Sequence, residues 1–308
     1  MAESGTRAAN NTAMEKVTSA DFSSGAQLTP EQFEDFMIDV QNESTVLDQV
    51  RTLTPTAESG DIPQLGVGTR LLQQVDEEGS ANKQGIDSGD VPFDTTKVSL
   101  PFEQTWEANN EIIDNPEATI RQLFIQQFAN DLEILASVGD TSQSGFVAIE
   151  DGWLTIADNA SAPETVGHDN AAVNKSLFQD MRTAMPQRYK ERQTLVFLTS
   201  YNQKDAYQDY LTDRSTGGGD AMLMTGDEPT PYGMEIMTPL GWPDDRAMLV
   251  SMENLLNIVQ DPLRVKSTDS SERNVMNDIE TIYNMLAKID YQIMEKAGVV
   301  TASNIAAP

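Results

Sequence analysis

Apolar residues recur along this chain at two spacings, and the change from one to the other divides it. Residues 1–28 are rich in Ala, Ser, Thr, Gly and Asn and read as a poorly ordered arm. A helix is predicted from Thr29: Thr29 stands as N-cap, Pro30 fits the first turn, and Glu31 lies near the positive end of the dipole. Phe33, Phe36, Met37 and Val40 follow at helical spacing to about Asn42. A second apolar cluster, Val46, Leu47, Val50 and Leu53, leads to Pro55. The spacing then becomes extended. Residues 64–75 and 95–106 are β-prone runs, and 76–90 between them is polar, which predicts a long two-stranded projection with a mobile tip. Pro101 in the second run points to an edge or a bulge, because proline has no N–H to give a ladder. An isolated hairpin is marginal in water, so the projection has to lie on something, in this chain or a neighbouring one.

The clearest helix comes next. Asn115 caps, Pro116 fits the first position and Glu117 complements the dipole. Ile120, Leu123, Phe124, Phe128, Leu132 and Leu135 form one stripe, widened by Ile125 and Ala129, and Gly139 closes the helix as a C-cap. At about 1.5 Å per residue, 116–138 is a rod roughly 34 Å long. Short elements then alternate. The pattern predicts short strands over 146–156 with a turn at Asp151-Gly152, a loop over 157–169, a helix over 173–184 and a buried strand over 194–199. A helix over 202–211, a Gly loop over 215–219, and strands over 234–237 and 247–250 around a Gly241-Trp242-Pro243 turn complete this part. From Ile279 to Ile293 every second residue falls on one face, which favours a long strand over the helix that Ile282, Met285, Ile289 and Ile293 would also allow.

Composition narrows the chemistry. The 308 residues include 20 basic and 49 acidic side chains, a formal charge of −29, one His and no Cys. Disulfides, thiolate metal sites and cysteine nucleophiles are excluded, and a poly-His centre cannot come from one chain. So acidic a chain is a poor match for gripping phosphates. No apolar stretch approaches the roughly 20 residues of a membrane span, and residues 1–17 lack the hydrophobic region of a secretory signal. Two readings of the charge stand open: a merely acidic mesophilic protein, or one made in a salt-rich cytoplasm. Salt near 1 M shortens the Debye length to about 3 Å and screens the self-repulsion, and the second reading is the one expected.

Motifs of catalysis are weak. His168-Asp169 with Ser176 has the residue types of a triad, but the His lies in a polar stretch with no nucleophile elbow and reads as a solvated loop residue. Asp140, Ser142, Ser144 and Asp151 occupy the first, third, fifth and twelfth positions of a calcium-type loop with Gly145 at the sixth. The short Asp at position twelve and the Ser replacements favour a tight turn, and Asp151-Gly152-Trp153 does not look like the start of an exiting helix. Gly217–Gly219 lacks the Lys-Ser/Thr of a phosphate loop, and Gly66-Val67-Gly68 lacks the third Gly of a dinucleotide fingerprint. Paired carboxylates could run a glycosidase without His or Cys, yet among 49 acids some pair is always close. No cofactor is expected beyond bound salt cations.

The order of segments resembles the major capsid proteins of tailed double-stranded DNA viruses, with the Hong Kong 97-type fold. Phe128-Ala-Asn-Asp-Leu-Glu-Ile-Leu-Ala-Ser-Val-Gly-Asp140 with Gly145-Phe146 resembles the end of the spine helix and its glycine turn. Leu195-Val-Phe-Leu-Thr-Ser-Tyr201 and the helix to Leu211 are similar to a strand and helix of the axial domain. Gly226-Asp-Glu-Pro-Thr-Pro-Tyr-Gly233 with Thr238-Pro-Leu-Gly-Trp242 resembles the approach to the last axial strands. Ala287-Lys-Ile-Asp-Tyr-Gln-Ile293 with Ala297-Gly298-Val299 resembles the late strand region of the peripheral domain.

The resemblance implies an α+β fold in five parts: N-terminal arm and first helix (1–60), E-loop (61–107), peripheral domain with spine helix (108–145), axial domain (146–255), and peripheral return strands with the C-terminus (256–308). It implies a structural, non-enzymatic subunit of a virion shell, assembled in the host cytoplasm. Copies would join into pentamers and hexamers of an icosahedral shell around double-stranded DNA, without sequence-specific binding and without a membrane. A portal would be a partner, with decoration or scaffolding proteins as further candidates. No long N-terminal scaffolding segment is expected, so any scaffold is separate or absent, and no sequence feature points to chain cross-linking. Acidity and scarce Lys point to a virus of halophilic archaea. Arg70, Lys83 and Lys97 are scarce cations in the projection and the candidate inter-subunit contacts; for Lys83, a contact to an acidic neighbour or a covalent bond to an Asn are the conceivable roles beside an ordinary surface lysine. An encapsulin-like nanocompartment shell is the alternative, and a carboxylate hydrolase a remoter one.

Overall fold

The computed structural model describes residues 44, 46–66, 87–105, 116–160, 164–190, 194–213, 228–260, 264–268, 271, 276–277 and 279–308. The predicted helix at 29–42 and the Gly loop at 215–219 lie outside them. Two sheets, one long helix and a hairpin make up the frame.

The first sheet is organised by a 15-residue strand over Ile279–Ile293, as the period-two pattern predicts. Ala287, Ile289, Tyr291 and Ile293 are buried on one face. Thr96–Thr105 runs antiparallel along one side of this strand. Leu255–Val259 and Arg264–Thr268 run antiparallel along the other, and Arg51–Leu53 adds in parallel to Leu255–Val259. Numbered in chain order, the strands are β1 (Arg51–Leu53), β2 (Ser59–Gly66), β3 (Asp87–Asp94), β4 (Thr96–Thr105), β5 (Glu164–Ala171), β6 (Val196–Thr199), β7 (Ile236–Met237), β8 (Ala247–Val250), β9 (Leu255–Val259), β10 (Arg264–Thr268), β11 (Ile279–Ile293) and β12 (Val300–Ile305). The helices are α1 (Pro116–Val138), α2 (Trp153–Asn159), α3 (Lys175–Ala184), α4 (Gln187–Lys190) and α5 (Tyr201–Thr212). The second sheet has the order β5-β12-β8-β6-β7.

Helix α1 has the bounds its sequence pattern predicts, and Ile125, Phe128, Ala129, Leu132 and Leu135 are buried against the first sheet's core. Gly139 does end it, but not as a left-handed cap, because its φ is not positive. The glycine serves close approach instead. A Cβ on Gly139 would stand 2.2 Å from the Glu150 carbonyl oxygen, and one on Gly152 would stand 2.5 Å from that of Leu135. The two backbones cross there, and the Gly152 N–H donates to the Gly139 carbonyl at 2.8 Å.

Several expectations are corrected. Among the described residues 64–66 do not pair with 95–105: β2 pairs with β3, whose residues 87–90 were expected in the polar tip, while β4 turns away and joins β11 in the body; residues 67–75 of the expected first run lie outside the described residues. The stem of the hairpin also lies on its own chain, with Phe93 packed on Leu256 and Ile258 of β9 beside Ile62 and Leu53. Segment 146–156 forms a 3-10 turn (Phe146–Ile149) and the start of α2 rather than strands. Trp153 decides this: it is fully buried and its indole N–H donates to the Leu256 carbonyl at 3.0 Å. The loop predicted over 157–169 contains the end of α2 and most of β5, a strand whose exposed residues give no apolar alternation to read. Strand β12 belongs to the second sheet, so 256–308 does not all return to the first. Pro101 behaves as predicted: it is exposed on β4, which among the described residues pairs only with β11.

Candidate subunit-contact surface

The hairpin stem meets the body at a corner, Asp94-Thr95-Thr96, where β3 becomes β4. The Thr95 N–H and hydroxyl both donate to the Glu58 carbonyl, at 2.9 and 2.8 Å. The Glu58 carboxylate pairs with Lys288, which holds its pKa below the usual range. The Asp94 N–H donates to Asp290 Oδ2 at 2.9 Å, and the Gln292 amide donates to Asp290 Oδ1 at 3.1 Å. Asp290 alternates with Ile289 and Tyr291 on β11, so it points away from the main core and under the stem. Burial raises its pKa to about 6, and the charge of nearby Glu150 adds to the rise. Glu150 is itself raised, chiefly by burial, and bonds the Thr96 side chain. Two carboxyl groups in scarce water thus hold the corner from which the projection leaves.

A second junction ties the segments together. Glu133 on α1 is buried with both oxygens engaged: Oε2 accepts from the Ser44 hydroxyl at 2.5 Å and Oε1 from the Leu240 N–H at 2.8 Å. Ser44 in turn accepts from the Leu47 N–H at 3.0 Å. One carboxylate therefore binds the N-terminal segment, the long helix and the Pro239–Trp242 turn. The chain passes between the sheets three times: through α1 and α2 after β4, and by short crossings after β8 and after β11. Asn254 joins the short crossings: its Nδ2 donates to the Glu295 carbonyl at 2.9 Å and its Oδ1 accepts from the Glu295 N–H at 2.7 Å. The Glu295 carboxylate is held by Arg188 at 2.9 Å and by the Tyr189 hydroxyl at 2.5 Å.

Of the contact candidates, only Lys97 lies among the described residues. It is exposed on β4, opposite Lys288 in the ladder. Arg70 and Lys83 lie outside the described residues. Around the calcium-type loop, Asp140 Oδ1 accepts from the Ser142 N–H and hydroxyl at 2.9 and 2.6 Å, and Asp151 Oδ1 accepts from the Thr141 N–H at 2.7 Å. The hydrogen bond from the Ser142 hydroxyl, more than any other, holds the Asp140 pKa below its ordinary value. Ser144 is exposed. The acids stabilise a turn, as expected, although a helix does follow at Trp153, contrary to expectation. Among the described residues no group of three or more His, Asp or Glu side chains is placed to hold a metal ion. His168 is not solvated: it is buried on β5 with Nε2 3.1 Å from the Ala172 carbonyl oxygen. Ser176 bonds the cap residue Asn174, which leaves no triad.

Comparison with solved structures matches this fold. A chain of the satellite phage P4 procapsid, a particle that includes the size determination (Sid) protein, superposes with a TM-score of 0.72 over 98% of both chains at 15% identity. The capsid of a native GTA particle matches with a TM-score of 0.62 over 87% of this chain and 91% of that one, at 13% identity. A virus-like particle from Pyrococcus furiosus matches with a TM-score of 0.55 over 89% of this chain and all of that one, at 9% identity. The chain has the Hong Kong 97-type capsid fold. In sequence, a putative prophage capsid protein of Bacillus subtilis, YqbE, is 28% identical over 221 residues, which are 68% of this chain and 69% of that protein. No described family's sequence profile matches the chain.

The helix expected as a spine is α1, the described part of the expected projection is the β2–β3 hairpin, and the second sheet apart from β12, with α3 and α5, comes from the segment expected as the axial domain. The residues that hold these parts together, Glu133, Asp290 and Asn254, were not singled out from sequence. The signal for Glu133 was a charge flanked by the stripe residues Leu132 and Leu135. Asp290 had none, since a polar residue at every second position is what any half-exposed strand presents.

Proposed function

We propose that the chain is the major capsid protein of a tailed double-stranded DNA virus or a related particle, whose copies close into pentamers and hexamers of an icosahedral shell. The observation that carries this is full-length agreement with a procapsid chain, 98% of each covered, beside 28% identity to a putative prophage capsid protein. The protein acts by packing against itself, and its chemistry is that of contact surfaces.

Finer points rest on the sequence. The charge of −29 supports a host with a salt-rich cytoplasm, such as a halophilic archaeon. Arg70, Lys83 and Lys97 are proposed to meet acids of adjacent copies. A portal, with decoration or scaffolding proteins, would complete the particle, and salt cations would lie between its acidic wall and the DNA. The E-loop is proposed to lie across a neighbour beyond its stem. The five-part division is proposed as a working scheme, with β12 grouped with the axial sheet that it pairs in.

A second reading, an encapsulin-like compartment, is favoured by the match to the Pyrococcus furiosus particle. Both readings are tested by purifying the chain in high salt and examining it by sedimentation and negative-stain electron microscopy. Shells or capsomers are expected. A stable monomer would overturn both readings, shells formed around a protein cargo would favour the second, and turnover of a glycoside would revive the hydrolase.

A further inference from the structure

Helices α3 and α5 pack into one apolar cluster with the axial sheet and touch where Phe178 meets Tyr207, with ring centroids 4.6 Å apart. Their exposed residues carry opposite charge. Residues 175–190 hold Lys175, Arg182, Arg188 and Lys190 against one acid, Asp180, in a chain of net charge −29. Lys175 and Arg182 are seven residues apart and share a flank of α3, about 10 Å from each other along the helix. Lys190 reaches back to the Thr183 carbonyl at 3.2 Å and extends the stripe. The Arg182 guanidinium lies 5.1 Å from the ring centre of Tyr232, an exposed aromatic whose backbone is left-handed (φ 57°) although it carries a Cβ. Exposed Tyr stacked with Arg is the composition that interface centres concentrate.

On α5 and its C-cap, Asp205, Asp209 and Asp213 follow at steps of four, exposed opposite the buried Gln203 and Tyr207. Like charges at this spacing repel. Asp209 and Asp213 also stand where the helix dipole is already negative, and the last turn has no basic residue. Lys204, the one cation of α5, is paired with Glu228 at 2.9 Å. Among the described residues none of the three carboxylates meets a cation. Lys175 has the mirror problem, a cation at the first residue of α3 with no acid in the first turn. Each helix opposes its own charges and matches those of the other.

We propose that the α3 stripe of one copy (Lys175, Arg182, Lys190 and Tyr232) docks on the α5 stripe (Asp205, Asp209, Asp213) of a second copy, head to tail around a ring. This rests on the shell reading and assigns it a specific contact. The two stripes differ, so the contact is heterologous and repeats until the ring closes.

Charge reversal in the full chain tests it: Lys175→Glu with Arg182→Glu, Asp205→Lys with Asp209→Lys, and the four together. The share of large particles is read by sedimentation and electron microscopy, and folding by circular dichroism. Each pair should lower the particle fraction at least about tenfold, and the fourfold variant should bring it back to within about twofold of the parent. If a reversed pair fails to fold, Lys175→Ala with Arg182→Ala serves instead and should lower the fraction in the same direction. Unchanged assembly, or no recovery in the fourfold variant, overturns the docking while the shell reading stands. Normal particles that hold less nucleic acid would assign the stripe to the genome and overturn it too. A parent chain that never forms particles ends both readings.

Discussion

Asp290 is an acid set where water is scarce, and the consequence is a pH dependence of unusual sign. Most native carboxylates are held below their ordinary pKa, so a fold loses their contribution as pH falls. Asp290 is raised from 3.8 to about 6. Above pH 6 it is ionised in the fold at a cost the unfolded chain does not bear. Between about pH 6 and 4 it takes up a proton in the fold first, and the cost disappears. Asp290→Asn keeps an acceptor for the Asp94 N–H and removes the charge. The variant should therefore be the more stable at pH 8, by on the order of 2 kcal/mol, and equal to the parent near pH 4. Urea unfolding of the unassembled chain at both pH values measures this, and a gap that does not change with pH would contradict it.

At the scale of elements, the end of α1 is fixed by backbone against backbone. Gly139 and Gly152 let the turn after α1 cross the start of α2 with no side chain between them. Gly152→Ala should lower stability by about 1–3 kcal/mol, because the added methyl meets three backbone atoms that cannot rotate away. Gly167→Ala is the control: a Cβ there meets nothing within 4 Å, and its effect should stay within about 0.5 kcal/mol. Equal effects in denaturant melts would show that the crossing is not the constraint. The same crossing explains a misread element. Residues 153–159 are helical because Trp153 is drawn into the core beside Tyr291, with ring centroids 6.0 Å apart, and no local pattern announces that.

For the whole molecule, charge is the governing quantity. With 49 acids against 20 bases, self-repulsion opposes both the compact state and the approach of copies to one another. Raising KCl from 0.1 to 1 M shortens the Debye length from about 10 Å to about 3 Å. The thermal midpoint should then rise by several degrees, and particle yield should rise with it. A midpoint that stays flat with salt, recorded by circular dichroism, would mark the chain as an ordinary acidic protein and remove the argument for a halophilic host.

Long, self-consistent patterns fixed their elements without help from the rest of the molecule. Helix α1 has a continuous stripe with clear ends, and β11 has fifteen residues of alternation, so helix and strand follow from which face each can bury. The order of such segments was enough to point to the fold. Pairing was another matter. That β4 leaves the projection for β11, that β5 is a strand, and that β12 crosses to the second sheet all depend on hydrogen bonds between residues far apart in sequence, and a ladder partner leaves no mark on the strand that lacks it. The junction residues were equally hidden. Glu133, Asp290 and Asn254 are single polar side chains, and only the packed structure makes them what they are, by removing water and bringing an N–H from a distant segment to each.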